Sequence, residues 1–589
     1  MMLPASVLSL ALACTFFVML RLRAPRWSYV VLGTLPPAIL LLASPNLRVY
    51  GYHGFVQAGI VYQILQGNIP PGSPLLAGQP GTYPWGGALV LAGISKLLGI
   101  SPFWAASLVA VASLAVLLVI TYRIGLLVTG DAEASLFGTA ASLYAFTFTQ
   151  SVPDSALKSG LGRLLPIPFA EPRGAPILEK FNGCTAFPLG LALYALALLL
   201  LLRLAGEGSP NWRRVVAFAA SVLALAFVYP FLLPPMALLG AVVVLLAWFA
   251  GGPQRRLAML LAGALASVGA IVLPYYLQLG AGRSGPVLQL VPAAAFFRQA
   301  AVIVVTFLPM SLLLIWARRA VRDKLRAQGR TAALLLVSAA MNVLLFFFLL
   351  APIWSQYKFL LLGIFAFGIV AGIALRALHA RAWPVALAVL TVFLLPFGLD
   401  CVHKARDWNA GRRVFRESEI ALEHNDPAQR DLYRWMRAST HPRAVFVDSD
   451  LGLPVYGQRA LYVALARQEE LQALNAQAGV PATGDGYTLD PRIFMKDVDG
   501  YPADLVDQRQ QVATRLLSGK DPSAGDLDAV TASGPQAYLV LRPGTADAAR
   551  ARQTRLPVVF ENSAATVLEL SRSTEVRQRP SASSPGLGG

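Results

Sequence analysis

Long apolar blocks separated by short basic loops recur from Ala5 to Leu399 and then stop. A helix crosses a hydrocarbon layer of roughly 30 Å with about 20 residues. Blocks of that order stand at 5–22, 28–44, 102–122, 133–149, 186–203, 213–230, 231–250, 257–278, 299–317, 331–350, 358–376 and 383–399, which predicts about twelve transmembrane helices. Pro230, Pro234 and Pro235 interrupt one apolar run, and such prolines are tolerated because neighbouring helices satisfy the carbonyls they free. The alternation of period two that marks strands is missing, so the membrane part reads as all-α.

Two apolar pieces break this rhythm. GYHGFVQAGIVYQIL and GALVLAGISKLLG flank a proline-rich stretch, IPPGSPLLAGQPGTYPWG, inside the 45–101 loop. They are too short to span and predict helices lying in the membrane interface. Beyond residue 400 the pattern changes. A helical stretch at 417–437 precedes short β-branched and aromatic runs, AVFVD (444–448), ALYVAL (460–465), QAYLVL (536–541), VVFEN (from 558) and ATVLEL (to 570), with a further helical run at 505–517. Strands alternating with helices predict an α/β domain over 401–570. The low-complexity tail, 571–589, is expected to be disordered. The domains read as 1–400, with external loops 45–101 and 150–185, then 401–570, then the tail.

Composition agrees: 589 residues that are 56% hydrophobic and only 14% charged suit a polytopic membrane protein. The formal charge of +18 matters through its location. Residues 401–589 hold 23 basic and 23 acidic side chains, so the excess belongs to the membrane half. There, seventeen Lys and Arg fall in one alternate set of loops and nine in the other. Positive residues stay on the cytoplasmic side, so the N-terminus, the 45–101 and 150–185 loops and everything after Asp400 are expected outside. A nucleic-acid footprint would be one basic patch on one domain, and this pattern is orientation instead. MMLPAS lacks a basic n-region, so residues 1–22 read as an uncleaved span.

The first 400 residues contain eight carboxylates, and three of them, Asp154, Glu171 and Glu179, lie in the 150–185 loop. Lys158, Arg163, Arg173 and Lys180 accompany them. A carboxylate there can hold acceptor hydroxyls or take a proton, and the cations can hold a lipid phosphate. Mixed charge at a surface is equally explained by solvation. Lys358 follows IWSQY at the external end of a span, where it either snorkels beside Trp354 and Tyr357 or anchors a phosphate headgroup. Gly-rich phosphate loops, HExxH and GxSxG are missing. The inside loops are too short for a nucleotide-sugar domain, which favours a lipid-linked donor.

The aromatic-flanked helix at 50–65, the turn Tyr83-Pro84-Trp85, ISKLLGISPFWAASL and VTGDAEASLFGTAASLYAFT resemble the first external loop and following spans of GT-C membrane glycosyltransferases. The resemblance implies an all-α polytopic membrane domain with a C-terminal extracytoplasmic α/β domain in a bacterial cytoplasmic membrane. It implies a polyprenyl-phosphate-linked sugar donor, a hexosyl or pentosyl transfer, and a glycan, lipid or protein of the cell envelope as acceptor, with membrane lipid as surroundings and no nucleic acid. In the family the first-loop helix usually opens on an Asp that serves as base or metal ligand. Here that position reads Tyr52-His53-Gly54, and the 45–101 loop has no carboxylate. Histidine can take a proton near neutral pH, so His53 is the candidate base alongside Asp154, Glu171 and Glu179. Gln57, one turn on, shares its face; with Tyr83, Arg163, Arg173, Lys180 and Lys358 it is assigned to substrate binding. His53 as a helix cap explains its position equally well. No cofactor follows from the residues; a divalent metal is the one addition the family would suggest, and the first loop lacks acidic ligands for it. Two other classes compete: a non-catalytic membrane scaffold, and a lipid-handling or flippase-type protein, for which Asn342 is a rare polar residue inside a span.

Overall fold

Each of the twelve apolar blocks contains a helix in the computed structural model, which describes residues 2–22, 26–43, 51–144, 176–179, 181, 184–206, 211–284, 289–292, 296–350, 356–409, 426–465, 495–496, 499–518, 523–542 and 556–570. The chain divides into two compact units. The first comprises 1–48, 104–277 and 286–413; the second comprises 49–103, 278–285 and 414–589.

The first unit contains α1 (Met2–Arg21), α2 (Arg26–Ala43), α5 (Pro102–Thr129), α6 (Ala132–Tyr144), the short α7 (Pro176–Glu179), α8 (Phe187–Gly206) and α9 (Trp212–Val228). It continues with α10 (Leu233–Ala250), α11 (Gly252–Gly280), α12 (Phe296–Trp316), α13 (Arg318–Phe348), α14 (Tyr357–Arg381) and α15 (Trp383–Asn409). Six of the described helices are long and apolar enough to cross a membrane: Pro102–Thr129, Phe187–Gly206, Pro230–Ala250, Gly252–Gly280, Arg318–Phe348 and Tyr357–Arg381. Helix α14 is buried along most of its length. It lies so close to α6 that a methyl group on Gly372 would overlap the backbone of Ala134 and Gly138, and one on Gly368 would overlap Ser142. Small residues permit this approach where lipid offers no hydrophobic drive for association.

Prolines and glycines have local consequences here. Pro230 has no N–H to offer Ala226, four residues earlier. The hydroxyls of Tyr276 and Tyr275 instead donate to Ala226 O (3.1 Å) and Phe227 O (3.2 Å). Gly329, at φ +50°, breaks α13 into a basic arm, 318–328, and an apolar remainder; a side chain at that φ would be strained.

Charge collects at one end of this unit. Asp131 Oδ1 accepts the N–H groups of Glu133 and Ala134 at the start of α6 (2.9 and 3.1 Å). Its carboxylate also meets Lys324 of the basic arm (3.6 Å). Glu133 meets Arg376 (2.7 Å) and His379 (3.7 Å) from the last turns of α14. At the opposite end, β1 (Gln289–Leu290) pairs antiparallel with β2 (Leu349–Leu350). That ribbon ties the approach to α12 to the exit of α13, and α14 starts just beyond it.

The second unit holds α3 (Gly51–Leu65) and α4 (Gly86–Leu98), the two short apolar pieces of the sequence, together with the C-terminal α/β elements. These are α16 (Pro427–Ser439), β3 (Val445–Val447), α17 (Leu453–Tyr456), β4 (Ala460–Leu461), α18 (Ala503–Leu517), α19 (Ala524–Thr531), β5 (Ala537–Leu541), β6 (Val558–Glu561) and β7 (Thr566–Leu570). The sheet runs β4-β3-β5-β7-β6, with the first three strands parallel and β7 antiparallel to both β5 and β6. Each strand run anticipated from the sequence contributes a strand. Asp426 caps α16 by accepting Ala428 N–H (3.0 Å), and Arg459 satisfies its last carbonyls at Arg437 and Thr440 (both 2.9 Å).

The β4 edge is covered from far away in the chain. Leu461 N–H donates to Pro74 O (3.0 Å), Ala77 N–H to Leu461 O (2.8 Å) and Ala464 N–H to Leu75 O (2.9 Å). The proline-rich stretch thus supplies backbone partners to an edge that would otherwise be open to pairing. Arg509 Nη1 clamps both sides, donating to Ala77 O (2.6 Å) and Tyr462 O (3.1 Å) with its guanidinium 4.9 Å from the Tyr462 ring.

Candidate functional site

Helix α3 is buried nearly all round because it sits inside the second unit rather than along a surface. Gly59 allows the rings of Pro74 and Pro454 to close on it; a methyl there would stand 3.0 and 3.2 Å from them. His53 lies in the first turn of α3, with its side chain outside the described residues. Gln57, one turn later, is 2% exposed, and its Oε1 accepts no hydrogen bond. Tyr83 is half-buried in the turn that leads into α4. Gln57 and Tyr83 therefore belong to the same unit.

Of the second-loop candidates, Asp154, Arg163, Glu171, Arg173 and Lys180 lie outside the described residues, as does the side chain of Glu179, which ends α7. Lys358 belongs to the first unit, in the first turn of α14. Its Nζ stands 4.8 Å from the centre of the Phe231 ring, 5.5 Å from Tyr229 and 5.8 Å from Tyr357. Pro230, between Tyr229 and Phe231, starts a 3₁₀ turn that leads into α10. Ring faces attract an ammonium group.

Sequence reasoning passed over three groups. Asp499 is 4% exposed in the second unit, and its Oδ1 has no hydrogen-bond partner. Burial pushes its carboxyl up to about 8, with the nearby Arg283 guanidinium acting in the opposite direction. Three segments meet around it. Tyr501 OH donates to Pro80 O (2.7 Å), Ser284 N–H and Oγ–H both donate to Gly500 O (2.7 and 3.1 Å), and Gly282 abuts Pro80, Thr82 and Tyr501. Gly500, at φ +70°, turns the chain under the Arg283 guanidinium. In the sequence KDVDGYP this aspartate reads as a turn residue. Arg283 likewise reads as one of several loop cations. Gln299, in the first unit, is fully buried in α12 and neither end of its amide is hydrogen-bonded; standing beside Arg298, it looks like an interfacial residue in sequence.

Some other buried polar groups are answered at least in part, although Asn342 Oδ1, Ser95 Oγ and Ser107 Oγ meet no hydrogen-bond partner. Arg542 grips Asp448 through two hydrogen bonds (2.8 and 2.7 Å), reaches Asp450 (3.1 Å) and donates to Gln429 (2.9 Å). Asn342 Nδ2 donates to Ser338 O (2.8 Å) and Tyr194 OH (3.2 Å), so the polar residue a transport reading would use is tied mainly to its neighbours in the bundle. Among the described residues no three His, Cys, Asp or Glu side chains group as cation ligands. The described donor set therefore does not fit a divalent metal, and no chemistry is routed through one.

No protein-family model and no curated protein sequence matches the chain. Solved structures do. ArnT from Cupriavidus metallidurans bound to undecaprenyl phosphate superimposes with a TM-score of 0.51 at 14% identity, over 93% of this chain and 99% of that one. ArnT in the apo state gives 0.52 at 14% identity, over 95% and 99%. The mycobacterial arabinofuranosyltransferase AftD gives 0.51 at 14% identity, over 93% of this chain and 40% of that one. The fold is therefore the one these structures share, a helical membrane part with a C-terminal sheet domain, as the resemblance in sequence implied.

Proposed function

We propose that this chain is an integral membrane glycosyltransferase that moves a sugar from a polyprenyl-phosphate donor to a glycan, lipid or protein acceptor of the cell envelope. The single observation that carries the reading is a likeness of fold, along nearly the whole of both chains, to a protein captured with undecaprenyl phosphate. Among the described residues, Lys358 beside the Phe231 and Tyr229 rings is a cation suited to a lipid phosphate. The reaction runs at the outer face of a bacterial cytoplasmic membrane, with the C-terminal domain on the same side.

In the reaction the acceptor hydroxyl attacks the anomeric carbon. A new C–O bond forms there while the bond from that carbon to the phosphate oxygen breaks, and the electron pair leaves with polyprenyl phosphate. A base must take the hydroxyl proton, and cations must meet the charge that gathers on the leaving phosphate. His53, Asp154, Glu171 and Glu179 are the candidates for the first task. Lys358, Arg163, Arg173 and Lys180 are the candidates for the second, and Gln57 and Tyr83 for holding the sugar.

The test is sugar transfer in membranes from a panel of labelled polyprenyl-phosphate hexoses and pentoses. Wild type is compared with His53→Ala, Glu171→Gln, Glu179→Gln and Lys358→Ala. Loss of the base or of the phosphate anchor is expected to cost on the order of 100-fold in rate. Undiminished transfer in all four variants would dismiss these assignments, and no transfer by wild type from any donor would dismiss the reaction.

A further inference from the structure

The β1–β2 ribbon, reinforced by Val291 N–H donating to Phe348 O (2.8 Å), holds the start of α12 against the end of α13. Phe296 stacks on Phe347, with ring centres 5.3 Å apart and planes 22° apart, and meets Phe348 edge-on at 5.9 Å. Gln299 lies one turn beneath this aromatic layer. Further along α12, Phe307 packs 5.0 Å from Phe367, and a methyl on Gly363 would stand 3.2 Å from it. Helices α12 and α14 start from the same end of the unit, so Gln299 lies toward the end at which Lys358 opens α14.

An amide offers two N–H donors and one carbonyl acceptor. Leaving such groups buried without partners is costly, and a bundle surrounded by lipid gives bulk water no access to relieve the cost. Native structures rarely keep such a group without a ligand or an ordered water to answer it. The chemistry of the missing partner follows from the amide itself. A phosphate anion accepts from Nε2 but has no proton for Oε1. A hydroxyl does both, accepting from Nε2 and donating to Oε1.

We infer that Gln299 is a specificity-determining residue that reads a hydroxyl on the sugar carried by the lipid donor, while the lipid phosphate is held elsewhere. The inference rests on the glycosyltransferase reading and assigns this residue to the donor's sugar rather than to its phosphate. The shared chemistry is a neutral hydroxyl, and its two sources are a sugar and a trapped water. Gln299→Leu separates them, because the apolar side chain keeps approximate volume and removes both polar ends.

The full-length chain, reconstituted in lipid nanodiscs, is titrated with polyprenyl phosphate and with polyprenyl-phosphate-linked pentose and hexose, and binding is read by native mass spectrometry. Thermal unfolding is followed in parallel. Wild type is expected to prefer a glycosylated lipid about tenfold, equivalent to about 1.4 kcal/mol. Gln299→Leu is expected to lose that preference while binding bare polyprenyl phosphate as wild type does and unfolding at an unchanged or higher temperature. If wild type has the preference and Gln299→Leu keeps it, the amide serves a trapped water and the inference is overturned while the glycosyltransferase reading stands. A variant that weakens both lipids equally, or unfolds at a lower temperature with its preference intact, overturns it too. If the leucine variant does not fold, Gln299→Met is measured against the same outcomes. Failure of wild type to bind any of the lipids overturns both the inference and the reading beneath it.

Discussion

The two ends of the membrane unit treat polar groups in opposite ways. At the basic end, Asp131 caps α6 and meets Lys324, and Glu133 meets Arg376 and His379, all partly exposed. These two carboxylates each face a cation of the same chain. At the other end, Lys358 lies over aromatic rings and Gln299 is buried with its amide unanswered. The named carboxylates of one end meet cations of the same chain, whereas at the other end the Gln299 amide meets no hydrogen-bond partner. The second unit repeats the contrast in two of its buried aspartates. Asp448 is gripped by Arg542, whereas Asp499 has an oxygen that meets nothing.

The largest effect that would sharpen this comparison is at Asp499. Its folded carboxyl is raised to about 8, against about 3.9 in an unfolded chain. Between those values the folded protein holds a proton that the unfolded protein has released, so stability falls as pH rises from about 4 to about 8 and is level above that. The full span corresponds to at most roughly 6 kcal/mol. Asp499→Asn imitates the protonated form and is expected to flatten the dependence, leaving the second unit more stable than wild type at pH 8 and similar at pH 4. Hydrogen exchange across 499–518 at the two pH values measures it, and an unchanged slope would show that water or Arg283 answers the carboxylate in solution.

Arg542→Ala is next. It leaves Asp448 buried without its partner, and a loss of about 3–5 kcal/mol is expected in the unfolding of the C-terminal sheet. Chemical denaturation followed by tryptophan fluorescence reads it through Trp435, which packs on Tyr538 and Phe560. A loss below about 1 kcal/mol would mean that the answered aspartate matters no more than a surface pair. Glu133→Gln is the smallest change, because both side chains of its pair with Arg376 are partly exposed. A stability change within about 1 kcal/mol is expected, with sugar transfer near the wild-type rate. A large loss of transfer in this variant would break the distinction between the two ends.

Much of the fold is legible in the sequence. Each apolar block anticipates a helix, and 444–448, 536–541 and the two runs within 558–570 anticipate strands, because hydropathy and β-branching act over a few residues. Less of the candidate site is legible. Lys358 announces itself as a lone charge at the end of a span, yet the rings beneath it come from Tyr229 and Phe231, far back in the chain. Asp499 and Gln299 carry no local mark, since each sits in a stretch that reads as a turn or an interface. The second-loop acids that the sequence singled out lie outside the described residues.

The sequence by itself determined the helical membrane part, the alternation of basic loops and the presence of an α/β domain, because these follow from transfer free energies and local backbone preferences. Tertiary structure alone decided that the proline-rich stretch of the first loop covers the β4 edge of a sheet formed nearly 400 residues later. It also decided which polar groups meet partners and which are buried without them. Both depend on hydrogen-bond geometry between distant segments, and a chain read residue by residue does not contain the distances on which those bonds depend.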